Sequence, residues 1–508
     1  MGRLNLIAAL SAAALVAGAP GAAYADGARG APTPEIVLKR MDADGDGRIS
    51  KSEFRGPPQQ FAVVDADADG YLSKEELAAF LQRVGGAGPK GAPARDRSPL
   101  EAWYEKLPVI LTHTHFNVVV PRGREPYIDW SGAEQNALAL MDENGIRAAI
   151  VLPAPGTPSR SLPYDPFDGL LRVARKHPDR FRVSGGGATL NVAIGRTRGN
   201  EVDSSDMRAF TDRAEKIIAA GAVGYGEMAA LHFSLFDGHP FEQAPPDHPL
   251  FLLLADLAAK HGVPVDLHVE AVTRDWSISE DLRRRGGHNP ERVSPNIAAL
   301  ERLLDHNRKA NIIWVHVGMD TTGQRAVELT RRMLRAHPNL YLSISGFQSA
   351  VGENWFIVPG RGLNPKWRAL ILEFPDRFTI GSDIFFQPPE VWHRFAQPMK
   401  LAIQVVRAPL LPPAVARKLA FENAQRLFGL KLIDPGDYPL PASPATAGAG
   451  EKVGPRGLTA RQVIANGDRD GDGRLARDEF RGPPQKFRML DADGDGFVTR
   501  EEIEARWQ

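Results

Sequence analysis

The chain has 508 residues, and its 62 basic and 62 acidic side chains cancel to a formal net charge of zero. That balance argues against nucleic acid or an anionic membrane surface as the main partner. Cysteine is absent, which excludes disulfides, thiolate nucleophiles and thiolate metal sites, and the length predicts two or more domains.

The first residues have the pattern of an export signal. Arg3 supplies a short basic start, an apolar run extends from about Leu4 to Val16, and Ala23-Tyr24-Ala25 is a small-x-small cleavage site. The run is shorter than the roughly 20 residues that span a bilayer, and no other stretch is long and apolar enough. Residues 1–25 are therefore expected to be a bacterial signal peptide. The mature protein is expected to be periplasmic or secreted, with no membrane span.

Residues 30–84 contain two acidic twelve-residue loops, Asp42 to Glu53 and Asp65 to Glu76. Residues 458–508 contain two more, Asp468 to Glu479 and Asp491 to Glu502. All four match the EF-hand calcium loop. Calcium is a hard cation that takes about six to eight oxygens. Positions 1, 3 and 5 supply them from Asp42, Asp44 and Asp46; Asp65, Asp67 and Asp69; Asp468, Asp470 and Asp472; and Asp491, Asp493 and Asp495. Position 6 must turn sharply and is always glycine. Position 7 gives only its carbonyl, so Arg48, Tyr71, Arg474 and Phe497 all serve there. Position 12 gives a bidentate carboxylate from Glu53, Glu76, Glu479 or Glu502. Position 9 is Ser50, Ser73 or Thr499 in three loops but Ala476 in the third, where water alone would fill the place. Up to four calcium ions are implied.

The two pairs share a phrase: "EFRGPPQQF" ends at Phe61 and "EFRGPPQKF" ends at Phe487. Pro57-Pro58 and Pro483-Pro484 are expected to end one helix and start the next. Phe61 with Val64, and Phe487 with Leu490, give the restarted helix an apolar side. The apolar residues at position 8 (Ile49, Leu72, Leu475, Val498) suit pairing of the two loops in a unit. Thr33-Pro34 and Thr459 read as helix starts. Residues 85–99 and 434–457, rich in Gly, Pro and Ala, read as solvated linkers.

Between them, residues 100–433 alternate short apolar runs with helical patterns. Eight strands are predicted: 109–114, 148–153, 181–190, 223–228, 263–269, 311–317, 340–345 and 378–382. This alternation predicts an α/β fold, a (β/α)8 TIM barrel, with an α-helical EF-hand pair at each end of the chain. A doubly wound open sheet is the other architecture with this alternation, but no GxGxxG fingerprint supports it.

All 13 histidines fall in this middle block. His177, His261, His306 and His337 end helices just before strands, which reads as structural. His113 and His115 lie on the first strand in "LTHTHFN", His268 ends the fifth, and His316 ends the sixth. Glu227 ends the fourth strand and Asp383 the eighth. In a barrel these positions share the C-terminal rim, where convergence of imidazoles and carboxylates predicts a metal site. His232, five residues past Glu227, could enter this site but is not assigned to it. Arg274, Arg283, Arg284, Arg285 and Arg292 follow the fifth strand beside nearly as many acids, which reads as a solvated loop. Phe233, Phe236, Phe241, Phe347, Trp355 and Phe356, after strands four and seven, would either line an apolar pocket or pack under their loops.

This order of motifs resembles the amidohydrolase superfamily, and "FENAQRLFGL" (Phe421 to Leu430) resembles the C-terminal helix of its amidohydrolase-related branch. The resemblance implies one or two divalent metal ions, zinc by expectation. His113 and His115 would bind the first metal, with Asp383 as further ligand and general base. His268 would complete a single-metal site, or hold a second metal with His316. Glu227 stands where many two-metal members carry a carboxylated lysine. The implied reaction is hydrolysis of an amide, lactone or ester in a small-molecule substrate, with the metal or His316 polarising the carbonyl. Two alternatives stay open: a nonoxidative decarboxylase with His316 as acid, and a calcium-binding scaffold around an inactive barrel.

Overall fold

The computed structural model describes residues 34–54, 61, 64–65, 69–78, 99–120, 127–156, 166–197, 201–235, 239–346, 354–358, 362–391, 396–441, 458–468, 474–480, 482–492 and 494–507. Residues 1–25, expected to be a signal peptide, lie outside them, as do Pro57-Pro58, most of the two expected linkers, Phe236 and Phe347. So do Asp67, Asp470, Asp472 and Asp493 of the acidic loops. The chain divides into two compact units at Pro439 and Leu440. No helix among the described residues is long and apolar enough to cross a membrane.

Eight parallel strands form the centre of the first unit. They are β1 (Val109–Phe116), β2 (Ile146–Val151), β3 (Phe181–Gly186), β4 (Gly224–His232), β5 (Val265–Val269), β6 (Ile312–Val317), β7 (Leu340–Ser345) and β8 (Phe378–Phe386). Each pairs with the next, and β8 pairs back to β1, so the sheet closes into a barrel. The predicted barrel is therefore the observed fold, and the open sheet is excluded because closure leaves no edge strands.

Helices follow the strands, and their sequences explain where they start and which face they bury. α1 (Trp130–Glu143) starts at Asp129, whose side chain accepts from the Gly132 amide. α2 spans Pro166–Lys176, and α3 (Ser204–Ala219) opens with a capping box between Asp203 and Asp206. α4 (Pro249–His261) begins on a proline and ends at Gly262 in the left-handed region, φ 64, which glycine adopts without steric cost. α5 (Ile297–His306) buries Ile297, Leu300, Leu303 and Leu304. α6 (Val327–Ala336) buries Val327, Thr330, Met333 and Leu334. Both sets recur at helical spacing and supply the stripe that packs on the barrel. α7 (Pro365–Glu373) precedes β8, and α8 (Ala396–Arg407) follows it.

The "FENAQRLFGL" segment is tied to the start of β8. Asn423 donates through Nδ2 to the carbonyls of Pro375 and Phe378, at 2.9 and 2.8 Å. Beyond it, Leu427, Phe428 and Leu430 pack with Ile150, Ile313 and Val315 in a buried cluster. Each of the four helix-terminal histidines lies beside a carboxylate. His177 meets Glu134 at 2.8 Å, His261 meets Glu215 at 2.9 Å, His306 meets Asp256 at 3.0 Å, and His337 lies 3.3 Å from Asp305.

The acidic modules repeat one plan. Ile49 pairs with Leu72, and Leu475 with Val498, so position 8 makes the short antiparallel bridge in both. The helix Ala460–Gly467 starts at Thr459 with a capping box, and Pro484–Leu490 starts directly after Pro483. The shared phrase sets two phenylalanine rings edge to face at 5.4 Å in each module, Phe54 on Phe61 and Phe480 on Phe487. The position 7 side chains, which calcium does not need, stack across each pair: Arg48 over Tyr71 at 4.3 Å and Arg474 over Phe497 at 3.9 Å. Each module has its own small core, one around Val37, Ile49, Phe61 and Leu72, the other around Ile464, Leu475, Phe487 and Val498.

Candidate metal centre

Six side chains from five strands meet at the C-terminal rim: His113 and His115 from β1, Glu227 from β4, His268 from β5, His316 from β6 and Asp383 from β8. Five are buried; Asp383, 15% exposed at its side chain, is the most open.

The hydrogen bonds behind the histidines aim them. His115 donates from Nδ1 to the Leu152 carbonyl at 2.9 Å, which leaves Nε2 as the free ring nitrogen. His113 meets the Asp266 carboxylate through Nδ1 at 3.0 Å. The two Nε2 atoms then face each other at 3.0 Å. Glu227 Oε2 lies 3.6 Å from His113 Nε2 and 3.4 Å from His115 Nε2. Asp383 Oδ1 lies 3.6 and 3.5 Å from the same two nitrogens. The other Glu227 oxygen, Oε1, contacts His268 Nδ1 at 2.8 Å and His316 Nε2 at 3.1 Å. His316 Nδ1 lies 3.7 Å from Asp383 Oδ2. Glu227 and Asp383 each direct one oxygen toward the His113–His115 side and one toward the His316 side.

Burial alone would raise the Glu227 pKa, but His113, His115 and His268 outweigh it and hold the carboxyl well below its usual range. For Asp383, burial is likewise outweighed, chiefly by His316 and His115, and the pKa falls. Burial opposes charge on His113, yet Asp266 and Glu227 raise it well above the ordinary value. His316 is lowered, chiefly by burial. Ionised carboxylates among closely set imidazoles are the donor chemistry of a divalent cation site. The donor set carries the test of fit: one ligand atom each from His113, His115 and Glu227, and from Glu227, His268 and His316, lie within 4.8 Å of one another, and all of these residues are buried. The residues fit a metal.

The backbone at the rim is strained. Among the described residues, the non-glycine positions with left-handed φ are His316 (61), Ser382 (85) and Asp383 (59). Such conformations cost of order 1–3 kcal/mol each and cluster at functional sites. Close approach constrains one glycine as well. A Cβ at Gly226, φ 148, would stand 2.5 Å from the Asp266 Cβ, so only glycine lets β4 carry Glu227 past the residue that orients His113.

The neighbourhood contains three further groups, of which Asp266 and Glu242 were not legible beforehand. Asp266 is a buried strand residue whose partner lies across the barrel. His232 packs its ring on His268, 4.7 Å between centroids, and burial together with His268 holds its pKa well below the ordinary value. Opposite His232, Glu242 is buried with Oε2 accepting from Asn191 at 3.2 Å, and burial plus the Glu227 charge push its pKa up to about 8. Period-two spacing from His268 back to Asp266 was the one available signal.

Other expectations resolve plainly. Arg284 pairs with Asp281 at 3.0 Å and Arg283 with Glu291 at 3.7 Å, within their own loop. Phe233 clusters with Val272, Ile278, Leu282, Phe241 and Trp276, and Phe356 packs on Trp367. These aromatics pack under their loops.

In the first acidic loop, ligand atoms of Asp42, Asp44 and Glu53 lie within 4.8 Å of one another. Their oxygens turn onto loop amides: Asp42 Oδ1 accepts from Gly45 at 2.7 Å, and Glu53 Oε1 accepts from Ala43 at 2.8 Å. Glu502 repeats this with Ala492 at 2.7 Å. Glu76 and Glu479 accept from the position 9 amides of Ser73 and Ala476, at 2.9 and 3.0 Å.

The EF-hand family profile matches residues 35–56, 59–81 and 485–505, three of the four loops and both ends of the chain. The loop with Ala476 is outside those matches. No curated protein matches the chain. Solved structures with similarity include a probable 2-pyrone-4,6-dicarboxylic acid hydrolase from Acinetobacter baumannii, 15% identical, covering 63% of this chain and 99% of that one, TM-score 0.38. They also include 5-carboxyvanillate decarboxylase from Sphingomonas paucimobilis, 15% identical, covering 64% and 100%, TM-score 0.38. A 2,6-dihydroxybenzoate decarboxylase is 18% identical, covering 63% and 98%, TM-score 0.39. The profile described as amidohydrolase matches residues 110–430, from β1 through "FENAQRLFGL" and so across every strand that contributes to the rim. The chain therefore belongs to the amidohydrolase family, with EF-hand modules at both ends.

Proposed function

We propose that the barrel is a metal-dependent hydrolase that uses water to cleave an amide, lactone or ester in a small molecule. The supporting observation is the approach of His113 Nε2 to His115 Nε2 at 3.0 Å, with carboxylate oxygens of Glu227 and Asp383 facing both. His113, His115 and Glu227 would hold one divalent ion, expected to be zinc. Glu227, His268 and His316 would hold a second. A divalent ion here supplies Lewis acidity, lowering the pKa of water and polarising a carbonyl. The chain's own residues do the rest. Asp383, the most open of the six, accepts a proton from water. Asp266 and the Leu152 carbonyl keep the two β1 imidazoles aimed. His316, beside Asp383, is placed to donate a hydrogen bond to the substrate carbonyl when it is not a ligand.

The EF-hand loops are proposed to bind calcium, up to four ions, and to stabilise a protein exported to the periplasm or beyond. Without cysteine, calcium is the crosslink available to such a chain.

The test is a screen of metal-loaded protein against lactones, amides, esters and aromatic carboxylic acids, with Asp383→Asn as control. Hydrolysis that falls about 10²–10⁴-fold in the variant supports the reading. Release of carbon dioxide from the aromatic acids would replace hydrolysis with decarboxylation, and full activity in Asp383→Asn would refute the assignment. Repeating the assay with calcium chelated and the barrel metal held constant separates a structural calcium role from a regulatory one.

A further inference from the structure

Strand β6 leaves its ladder where His316 sits. Its register to β5 ends at Trp314, and its register to β7 passes Trp314 and resumes only at Val317. The His316 backbone is left-handed, φ 61, so the chain there cannot continue the pleat. Val315 falls in the gap of the register, and a buried carbonyl there without a donor would cost about 1–3 kcal/mol.

One side chain serves it and the Trp314 carbonyl before it. Arg325 donates from Nη1 to the Val315 carbonyl at 2.5 Å and from Nη2 to the Trp314 carbonyl at 3.1 Å. Its guanidinium carbon lies 4.1 Å from the centroid of the Trp314 ring, and the residue is 3% exposed. The loop after β6 is folded to deliver it. Asp320 accepts from the Gln324 and Arg325 amides, each at 3.1 Å, and from Asn354 Nδ2 at 2.7 Å. Burial lowers the Arg325 pKa to about 9, and the nearby Asp320 and Glu270 act against that loss. Glu270 in turn is held by Thr321 of the same loop, through the hydroxyl at 2.7 Å.

A planar fork on two successive carbonyls fixes more than a single donor does. It sets the orientation of both peptide planes, and with them the backbone angles entering His316. The His316 ring then lies 3.1 Å from Glu227 and 3.7 Å from Asp383.

We propose that Arg325 is a positioning residue for His316: its guanidinium anchors the Trp314 and Val315 carbonyls where the ladder breaks and so fixes the turn that aims the imidazole at Glu227 and Asp383. The effect on metal rests on the proposed metal centre, whereas the effect on His316 does not.

The experiment compares the full chain with Arg325→Lys, which keeps a charge but loses the fork, and Arg325→Met, which loses both. Three quantities are read: thermal melting, ¹H–¹⁵N imidazole signals of metal-free ¹⁵N-histidine protein, and the visible spectrum and chelator-driven metal loss of cobalt(II)-loaded protein. His316 signals are assigned with His316→Gln. The expected result is folded Arg325→Lys protein with displaced His316 signals, unmoved His177 and His306 signals, an altered cobalt spectrum, and metal loss about 10- to 100-fold faster. Folded variants with wild-type His316 signals and an unchanged cobalt spectrum overturn the proposal, even if they melt lower. If Arg325→Met does not fold, Arg325→Lys and Asp320→Asn, which loosens the loop but keeps the guanidinium, decide in its place. If the wild type takes up no cobalt, the metal reading fails and the imidazole signals alone decide on Arg325.

Discussion

The Nδ1 atom of His113 lies 3.0 Å from the Asp266 carboxylate, although β1 and β5 are not neighbours in the sheet. The contact crosses the barrel interior. It explains why a carboxylate stands two residues before His268 on β5, and it ties the aim of the first-strand histidines to a strand on the far wall. Removing it should therefore act on metal more than on folding. Asp266→Asn keeps the shape and loses the charge. Metal affinity is expected to fall about 10- to 100-fold, measured by competition with a chelator, while thermal melting changes little.

Glu227 divides its oxygens between two groups of histidines, Oε2 facing His113 and His115 and Oε1 contacting His268 and His316. If it joins two metal pockets, wild-type protein binds two equivalents in the barrel. Glu227→Gln is then expected to bind fewer. Metal analysis after exhaustive dialysis, with calcium counted separately, reads the difference. Equal stoichiometry in the two proteins would show that Glu227 is not a shared ligand.

Glu242 has its pKa raised from 4.5 to about 8, first by burial and then by the charge of Glu227. A group raised in the folded state contributes stability that is complete below its unfolded value and lost as pH rises through its folded value. The window is therefore pH 4.5 to about 8. Glu242→Gln, nearly isosteric and never charged, should escape this loss. Melting curves of the two proteins are expected to run parallel below pH 4.5, separate in favour of the variant up to about pH 8, and run parallel again above it.

Glu53 accepts from the Ala43 amide at 2.8 Å and the Ser50 hydroxyl at 2.7 Å with the same carboxylate that would chelate calcium. Glu53→Gln removes the bidentate oxygen pair of the first loop. Calorimetric titration is expected to lose one calcium equivalent. Affinity at the paired loop from Asp65 to Glu76 should weaken too, because Ile49 and Leu72 bridge the two. An unchanged count would remove the first loop from the calcium set.

The eight strands, the rim histidines and the acidic loops were legible because each is written in local spacing. A strand of five to nine residues, an HxH pair and an EF-hand loop are complete within their own segments, and their chemistry survives without knowledge of the neighbours. "FENAQRLFGL" was recognisable as a phrase, but its reason, Asn423 holding the start of β8, is a contact across 45 residues.

What tertiary structure alone decided is the set of groups whose meaning depends on a distant partner. Asp266 reads as an ordinary strand acid until the barrel closes and sets it behind His113. His232 becomes a neighbour of His268 only because β4 runs on to a short antiparallel partner at Glu242 and Gln243. Arg325 sits in a loop segment of unremarkable composition, and its role emerges only from the left-handed turn at His316, which no residue type at that position announces. The physical reason is the same in each case. Local sequence sets the periodicity and the ligand types, whereas barrel closure sets which side chains share the low-dielectric interior, and there a single missing partner costs enough to dictate where the others stand.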